Sequence, residues 1–380
     1  MRLLSSLRSI RQIFSSYDPL IKIYIKKKNI LSNLNTFQKE YPKVKFAPVL
    51  KSNAYGHGLL SIARILDKED IAFLVVDSLY EARTLRNEGI KSKILIIGYT
   101  RTEDIVKNRL KSISFAITSF EELKLINESL RKKQSFHLKI DTGMHRQGVL
   151  SEELPEAIEI LKNNSLIILE GVYSHFADAD NLCKDFCSKQ VQIWNKLVRL
   201  IKKNLPQTVY FHLTATGGTF YLPKAKANVA RLGLGLYGMD PSKLRKLDLK
   251  PALEVRSIIS GIKKIQKGDL VGYGLTFEAK KEMQIAIVPA GYFEGIDRRL
   301  SNIGHFKLGR IFCPIVGRVS MNMTIIDVTR IKKLQIEDPI VLISDKIDDL
   351  NSVSNFAKLC QTIPYELLVH LPWHLRREII

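Results

Sequence analysis

The chain of 380 residues carries only four cysteines: Cys183, Cys187, Cys313 and Cys360. That excludes a disulfide-stapled scaffold and fits a reducing cytoplasm. Cys183 and Cys187 stand four apart in a helical stretch, but no matching His/Cys pair lies nearby. No metal site is therefore expected, and the thiols read as half-buried small residues. No segment reaches about 18 uninterrupted apolar residues, so no transmembrane segment is expected. Acidic residues are also scarce, 38 Asp and Glu against 59 Lys and Arg, for a net charge of +21. Such an excess invites a nucleic-acid reading. The lysines, however, are scattered, and the one dense run, Lys26-Lys27-Lys28, is short. The charge reads as a solvated basic surface that helps attract phosphate or carboxylate ligands, and no nucleic-acid partner is expected. With 45% hydrophobic and 26% charged residues the chain is globular. Its length supports two domains.

Residues 1–17 differ from the rest. Leu3, Leu4, Leu7, Ile10, Ile13 and Phe14 recur at helical spacing among Arg2, Arg8 and Arg11, with no acid before Asp18. The continuous apolar centre of a secretory signal is lacking. An organelle transit peptide, a basic amphipathic helix docking on a membrane or partner, and a helix packed on the protein's own surface all suit this texture. The last is favoured.

From residue 46 the sequence alternates apolar strands with amphipathic helices. The strands read as 46–51, 72–77, 93–98, 113–118, 136–141, 169–174, 209–214 and 229–234. Capping boxes open several of the helices: Ser78 with Glu81, Thr100 with Glu103, Ser119 with Glu122. Eight such units predict an α/β fold with an N-terminal (β/α)8 TIM-type barrel. No dinucleotide-type G-x-G-x-x-G follows the first strand, although periodicity alone leaves a doubly wound sheet open. After Pro251 the texture changes to strands over 253–262, 283–288, 310–316, 323–328 and 339–343, with one helix over 353–361. This predicts a mostly antiparallel β domain. The expected division is an extension over 1–19, a barrel over 20–250 and a β domain over 251–380. The early strand 21–25 is assigned outside the barrel, pairing with the C-terminal domain.

Lys51-Ser52-Asn53-Ala54-Tyr55-Gly56-His57-Gly58 directly follows the apolar run Phe46–Leu50. A strand-end lysine ordinarily snorkels to solvent. Here a Gly-rich turn into a helix follows it, which suits an amine held to attack a carbonyl, with burial easing loss of its proton. Barrel sites lie at the C-terminal strand ends. Lys51 closes the first strand, Lys139 and Asp141 the fifth, His175 follows the sixth, and Thr216 and Arg231 attend the last two.

The Lys51 string resembles the pyridoxal-phosphate (PLP) attachment motif of alanine racemases. Further matching stretches run through the chain: Phe136–Val149, Tyr173–Ala177, Ala230–Gly238, Gly272-Tyr273-Gly274, Pro289–Gly295, Pro314–Met323 and Thr362–Leu367. The resemblance implies interconversion of L-alanine and D-alanine by two bases, supplying D-alanine for peptidoglycan. Lys51 would carry PLP and serve one face of the substrate, and Tyr273, with His175 as its neighbour, the other. It implies Arg231 at the cofactor's ring nitrogen. Most other PLP enzymes place a carboxylate there, and an arginine, which only donates, leaves the ring a weaker electron sink and restrains side reactions. Thr216, Gly233, Leu234, Tyr55 and Tyr365 would hold the phosphate. Arg146 would meet the phenolic oxygen and the substrate carboxylate. Met321 would offer its N–H to that carboxylate, and Tyr292 would line the entrance. Lys139 matches a position often carbamylated, a charge change that would orient Arg146. The family resemblance also implies a head-to-tail homodimer in which Tyr273 and Met321 enter from the partner subunit.

Departures from the family pattern are Asn322 for a usual aspartate, Ala215 before Thr216 where Asn-Ser is common, Phe277 for tyrosine and Gln147 for leucine. The alternatives are a racemase of broader or different specificity (serine, lysine), a PLP-dependent decarboxylase, which Arg231 disfavours, and a non-catalytic single-barrel PLP-binding protein.

Overall fold

A computed structural model describes residues 17–181, 184–244 and 247–380. The basic segment read over residues 1–17 lies, apart from Tyr17, outside the described residues. The chain divides into two compact units. One comprises Ile25–Leu253, Asp345–Trp373 and Ile379–Ile380. The other holds, of the described residues, 17–24, Glu254–Ser344 and His374–Glu378.

After β1 (Lys22–Ile25), eight short strands build the first unit: β2 (Lys45–Pro48), β3 (Leu74–Val76), β4 (Ile94–Ile96), β5 (Ile113–Ile117), β6 (Gln134–Lys139), β7 (Ile167–Tyr173), β8 (Tyr210–His212) and β9 (Val229–Leu232). Strands β3 to β8 pair in sequence order, all parallel. β2 pairs parallel with β9. Two seams complete the circle. Ala72 N–H to Phe46 O (2.8 Å) and Leu50 N–H to Val75 O (2.7 Å) join β2 to β3. Asn228 N–H to Phe211 O (3.0 Å) and Arg231 N–H to Thr214 O (3.1 Å) join β8 to β9. The expected parallel barrel is thus present. Every residue of β3, β4 and β5 is buried, as a barrel strand covered on both faces requires.

The helices follow local chemistry. Ser78 accepts Glu81 N–H at 3.3 Å and Ser119 accepts Glu122 N–H at 3.1 Å, as expected of N-caps. Thr100 does not cap. The helix Thr102–Lys107 starts after Arg101 in a non-helical conformation, and the Thr100 hydroxyl is buried without a partner among the described residues. Glu103 and Asp104 serve that helix through its dipole instead. Helix Lys27–Glu40 buries Ile30, Leu34 and Phe37 on one face, roughly 1.5–3 kcal/mol for each side chain. The buried Asn33 on that face bonds Leu236 O and both backbone groups of Lys250, anchoring the loop after β9.

In the second unit the sheet order is β16-β15-β18-β10-β1-β19, where β10 is Leu253–Ile258, β15 His305–Leu308, β16 Ile311–Pro314, β18 Pro339–Ile343 and β19 Arg376–Ile379. β1 therefore lies between β10 and β19. A second, antiparallel sheet joins β11 (Gly261–Ile265), β14 (Met283–Val288) and β17 (Thr324–Asp327), and β12 (Leu270–Val271) pairs with β13 (Phe277–Glu278). The stretch read as one strand over 253–262 is two, because β10 pairs with β18 and β11 with β14. His305–Leu308, outside the strands read from the sequence, is the hairpin partner of Ile311–Pro314. Helix Pro364–Val369 was not expected; Pro364 stands in its first turn, where the missing N–H costs nothing.

Candidate active site

Lys51 does not close β2 but stands three residues beyond it, at the head of a turn. Ser52, Asn53, Ala54 and Tyr55 all have positive φ, from 50° to 56°. Left-handed backbone costs L-residues about 1–2 kcal/mol each, so four in succession persist only if held from outside. The holds are specific. Ser52 N–H donates to Glu81 Oε1 (2.8 Å), Leu59 N–H to Asn53 Oδ1 (2.9 Å) and Gly58 N–H to Asn53 O (2.9 Å). His57 Nδ1 donates to Tyr55 O at 2.9 Å. The Tyr55 ring packs between Tyr237 and Tyr365, at 5.4 and 5.5 Å. At Gly56, φ is 78° and a Cβ would fall 2.0 Å from Leu368 O, so only glycine fits.

Lys51 opens into a cavity of about 690 Å³ at the C-terminal mouth of the barrel. Tyr55, Lys139, Arg146, His175, Thr216, Arg231, Gly233 and Tyr365 line it too, so nine of the residues singled out in the sequence meet at one place. Leu234 is buried beside them, and its N–H meets no acceptor among the described residues. Four cations line the cavity against one carboxylate, Asp77, whose Oδ1 stands 3.7 Å from Lys51 Nζ. Such a site suits an anionic ligand. Tyr273, Tyr292 and Met321 belong to the other unit, where all three are exposed, Tyr273 by 71%.

Arg231 lies inside β9 and is 4% exposed, and its guanidinium makes five hydrogen bonds, none of them to a carboxylate among the described residues. It donates to the carbonyls of Ser174, His212 and Leu213, and to Nδ1 of His212 (2.6 Å) and of His175 (3.0 Å). Burial lowers its pKa to about 10, so it remains a cation at neutral pH. Because a guanidinium only donates, both imidazoles accept at Nδ1 and carry their proton on Nε2. His212 then donates from Nε2 to His137 Nδ1, 2.8 Å away. Burial, and after it the neighbouring cations, hold His175 and His137 neutral, with pKa values lowered to about 3.

Burial and the charges of Arg146 and Arg231 bring Lys139 down to about 8. Its amine donates to Gln147 Oε1 at 2.9 Å. Asp141 Oδ1 collects the N–H groups of Gly143, Met144 and His145, which folds the loop that carries Arg146. Sequence reasoning passed over Asp77, Glu81, Tyr173, His137 and His212. The last two lie on β6 and β8, which flank β7, and Gly171 on β7, where a Cβ would stand 2.5 Å from His137 Nδ1, leaves room for them to meet across it.

A closed parallel barrel with a lysine, two arginines and a neutral histidine at its C-terminal mouth, accompanied by antiparallel sheets, defines a two-domain barrel enzyme. The family models for the alanine racemase N-terminal domain and C-terminal domain match residues 25–241 and 252–379. Alanine racemase 1 of Caldanaerobacter subterraneus is 35% identical over 331 residues, 85% of each chain. The alanine racemase of Methanococcus maripaludis is 33% identical over 86% of this chain and 89% of its own. Among solved structures, the alanine racemase of Clostridium difficile superposes with a TM-score of 0.88 at 29% identity, over 96% of this chain and 97% of that one. That of Bacillus anthracis, solved with bound L-Ala-P, gives 0.87 at 27%, over 96% of each. The chain belongs to the alanine racemase family. No helix among the described residues is long and apolar enough to cross a membrane.

Proposed function

We propose that the protein interconverts L-alanine and D-alanine with PLP in the cytoplasm, supplying D-alanine for peptidoglycan. The observation that carries this reading is Lys51 sharing one cavity with a buried Arg231 that has no carboxylate partner among the described residues. The residues fit the cofactor. Gly233 leaves a cradle in which a Cβ would stand 3.2 Å from Tyr55 Oη. The Tyr173 hydroxyl is buried in the cavity wall without a partner among the described residues, and the surrounding charge is cationic. When bound, the cofactor draws electrons from the amino acid's Cα and makes its proton removable.

The chain's own groups then divide the work. Lys51 carries the cofactor and exchanges the proton on one face of Cα; in a head-to-tail homodimer the partner subunit's Tyr273 serves the other. His175, holding its proton on Nε2, is ready to donate to that phenol oxygen and stabilise its phenolate. Arg231 would donate to the ring nitrogen and, as a cation that keeps its protons and cannot accept one, would hold that nitrogen unprotonated. Thr216, Gly233 and Leu234, with Tyr55 and Tyr365, hold the phosphate. Arg146 pairs with the substrate carboxylate, which also receives the N–H of the partner subunit's Met321, while Tyr292 lines the approach. With its pKa lowered to about 8, Lys139 has enough neutral amine for carbon dioxide to add as a carbamate beside Arg146.

The test is to load the full chain with PLP and treat it with borohydride. The visible band should vanish, leaving the modified peptide on Lys51. L-alanine should yield D-alanine faster than serine or lysine yields its enantiomer, and Lys51→Ala should lose band and turnover together. A label on another lysine, or no D-alanine formed, overturns the reading.

A further inference from the structure

Glu81 is the third residue of helix Leu79–Asn87, whose cap bond Ser78 Oγ already makes. The Glu81 carboxylate is therefore spent elsewhere. Oε1 accepts Ser52 N–H and Oε2 accepts Asp77 N–H, both at 2.8 Å. A carboxylate at this helix position ordinarily turns back to the N-cap's own N–H. Here it reaches one residue further back, to Asp77, and across to the segment after β2.

Both donors flank Lys51. Ser52 follows it and is the first of the four left-handed residues, and the Asp77 carboxylate stands 3.7 Å from Lys51 Nζ. The N–H of Ser52 points away from regular pairing, and Glu81 is its one acceptor among the described residues. An ionised carboxylate has an oxygen for each donor, and charge-assisted bonds are the strong ones. The two donors sit on separate oxygens, and an amide puts an NH2 in place of one of them, so it satisfies only one of the two.

We propose that Glu81 is a positioning residue for Lys51, its carboxylate clamping the backbone of Ser52 and Asp77 so that the turn starts left-handed and the amine faces the cavity. The consequence for the cofactor rests on the reading of Lys51 given above; the clamp itself does not.

Amide exchange read by mass spectrometry on the cofactor-free full chain tests the clamp. In Glu81→Ala, peptides holding Ser52 and Asp77 should exchange about tenfold faster or more, the scale of a lost charge-assisted bond. Glu81→Gln should keep one of the two protected. Ser78→Ala, which weakens the same helix start but spares the carboxylate, should change neither by more than about twofold. PLP should bind Glu81→Ala about tenfold more weakly, with Ser78→Ala near the parent chain. Unchanged exchange in a folded Glu81 variant overturns the proposal, as does Ser78→Ala reproducing the loss. Should Glu81→Ala fail to fold, the single-site loss in Glu81→Gln decides. If exchange behaves as expected but borohydride labels a different lysine, the clamp stands and the assigned function falls.

Discussion

The Glu294 carboxylate divides between two donors, Gly291 N–H at 2.8 Å and Asn322 Nδ2 at 2.7 Å. The amide at 322, where the family usually has an acid, thus serves as a donor to Glu294. An aspartate at 322 would face Glu294 as a like charge, whereas the amide donates to it. Asn322→Asp should therefore lower kcat/KM for alanine by about tenfold or less, roughly 1.4 kcal/mol, since the pair is exposed and solvent screens it. Adding Glu294→Gln should restore most of the loss; a double-mutant cycle with no coupling would dissociate the two residues. Tyr273→Phe tests a different quantity. Removing a general acid–base group typically costs 10²–10⁴-fold, and turnover in either direction uses both faces, so both directions should slow by about that much with PLP binding retained.

The left-handed run Ser52–Tyr55 makes the element after Lys51 unlike an ordinary helix start, and it responds to substitution in an unusual order. Ser52 is exposed, so its φ of 55° is the main determinant there. Ser52→Gly should be neutral or stabilising by up to about 1 kcal/mol, the relief of left-handed strain offset by glycine's entropy. Ser52→Val should cost about 1–2 kcal/mol, read from denaturant midpoints. Equal effects for the two would show that the turn is not strained. None of this was legible in the sequence: of the four residues only Asn53 favours positive φ, and the rest are held there by Glu81, Asn53 and the tyrosine stack. The alternation of strands and helices was legible because buried parallel strands are apolar throughout. Their ends were not, since Val49 and Leu50 continue the apolar run after regular pairing with β9 has stopped. The chemistry-bearing residues at the strand ends could be read from spacing. The His212–His137 pair behind Arg231 could not, because they come from strands that are not consecutive and meet across Gly171 of the strand between them.

Across the whole molecule, three histidines of the barrel unit, His137 and His212 buried and His175 half-buried, tie stability to pH. His137 and His175 have pKa values lowered to about 3, and His212 lies well below its ordinary value, burial being the largest cause in each. Unfolded, each titrates near 6.5, so below that pH the unfolded chain binds protons that the folded chain refuses. Their stabilising contribution is complete above pH 6.5 and is lost as the pH falls toward 3, at about 1.4 kcal/mol per pH unit for each proton taken up. Denaturant midpoints should fall steeply between pH 6 and 4, and His137→Gln should flatten that slope by roughly one proton's worth. Assembly supplies the sharper test. If each site joins Lys51 of one protomer to Tyr273 of its partner, Lys51→Ala and Tyr273→Phe chains are each inactive alone but complementary when mixed. In a hybrid dimer one site receives both defects and the other neither. Random exchange of equal amounts makes half the dimers hybrids, so about a quarter of parental activity should return. Demonstrated exchange without recovery would mean that each chain completes its own site, and the shared-site dimer would have to be abandoned.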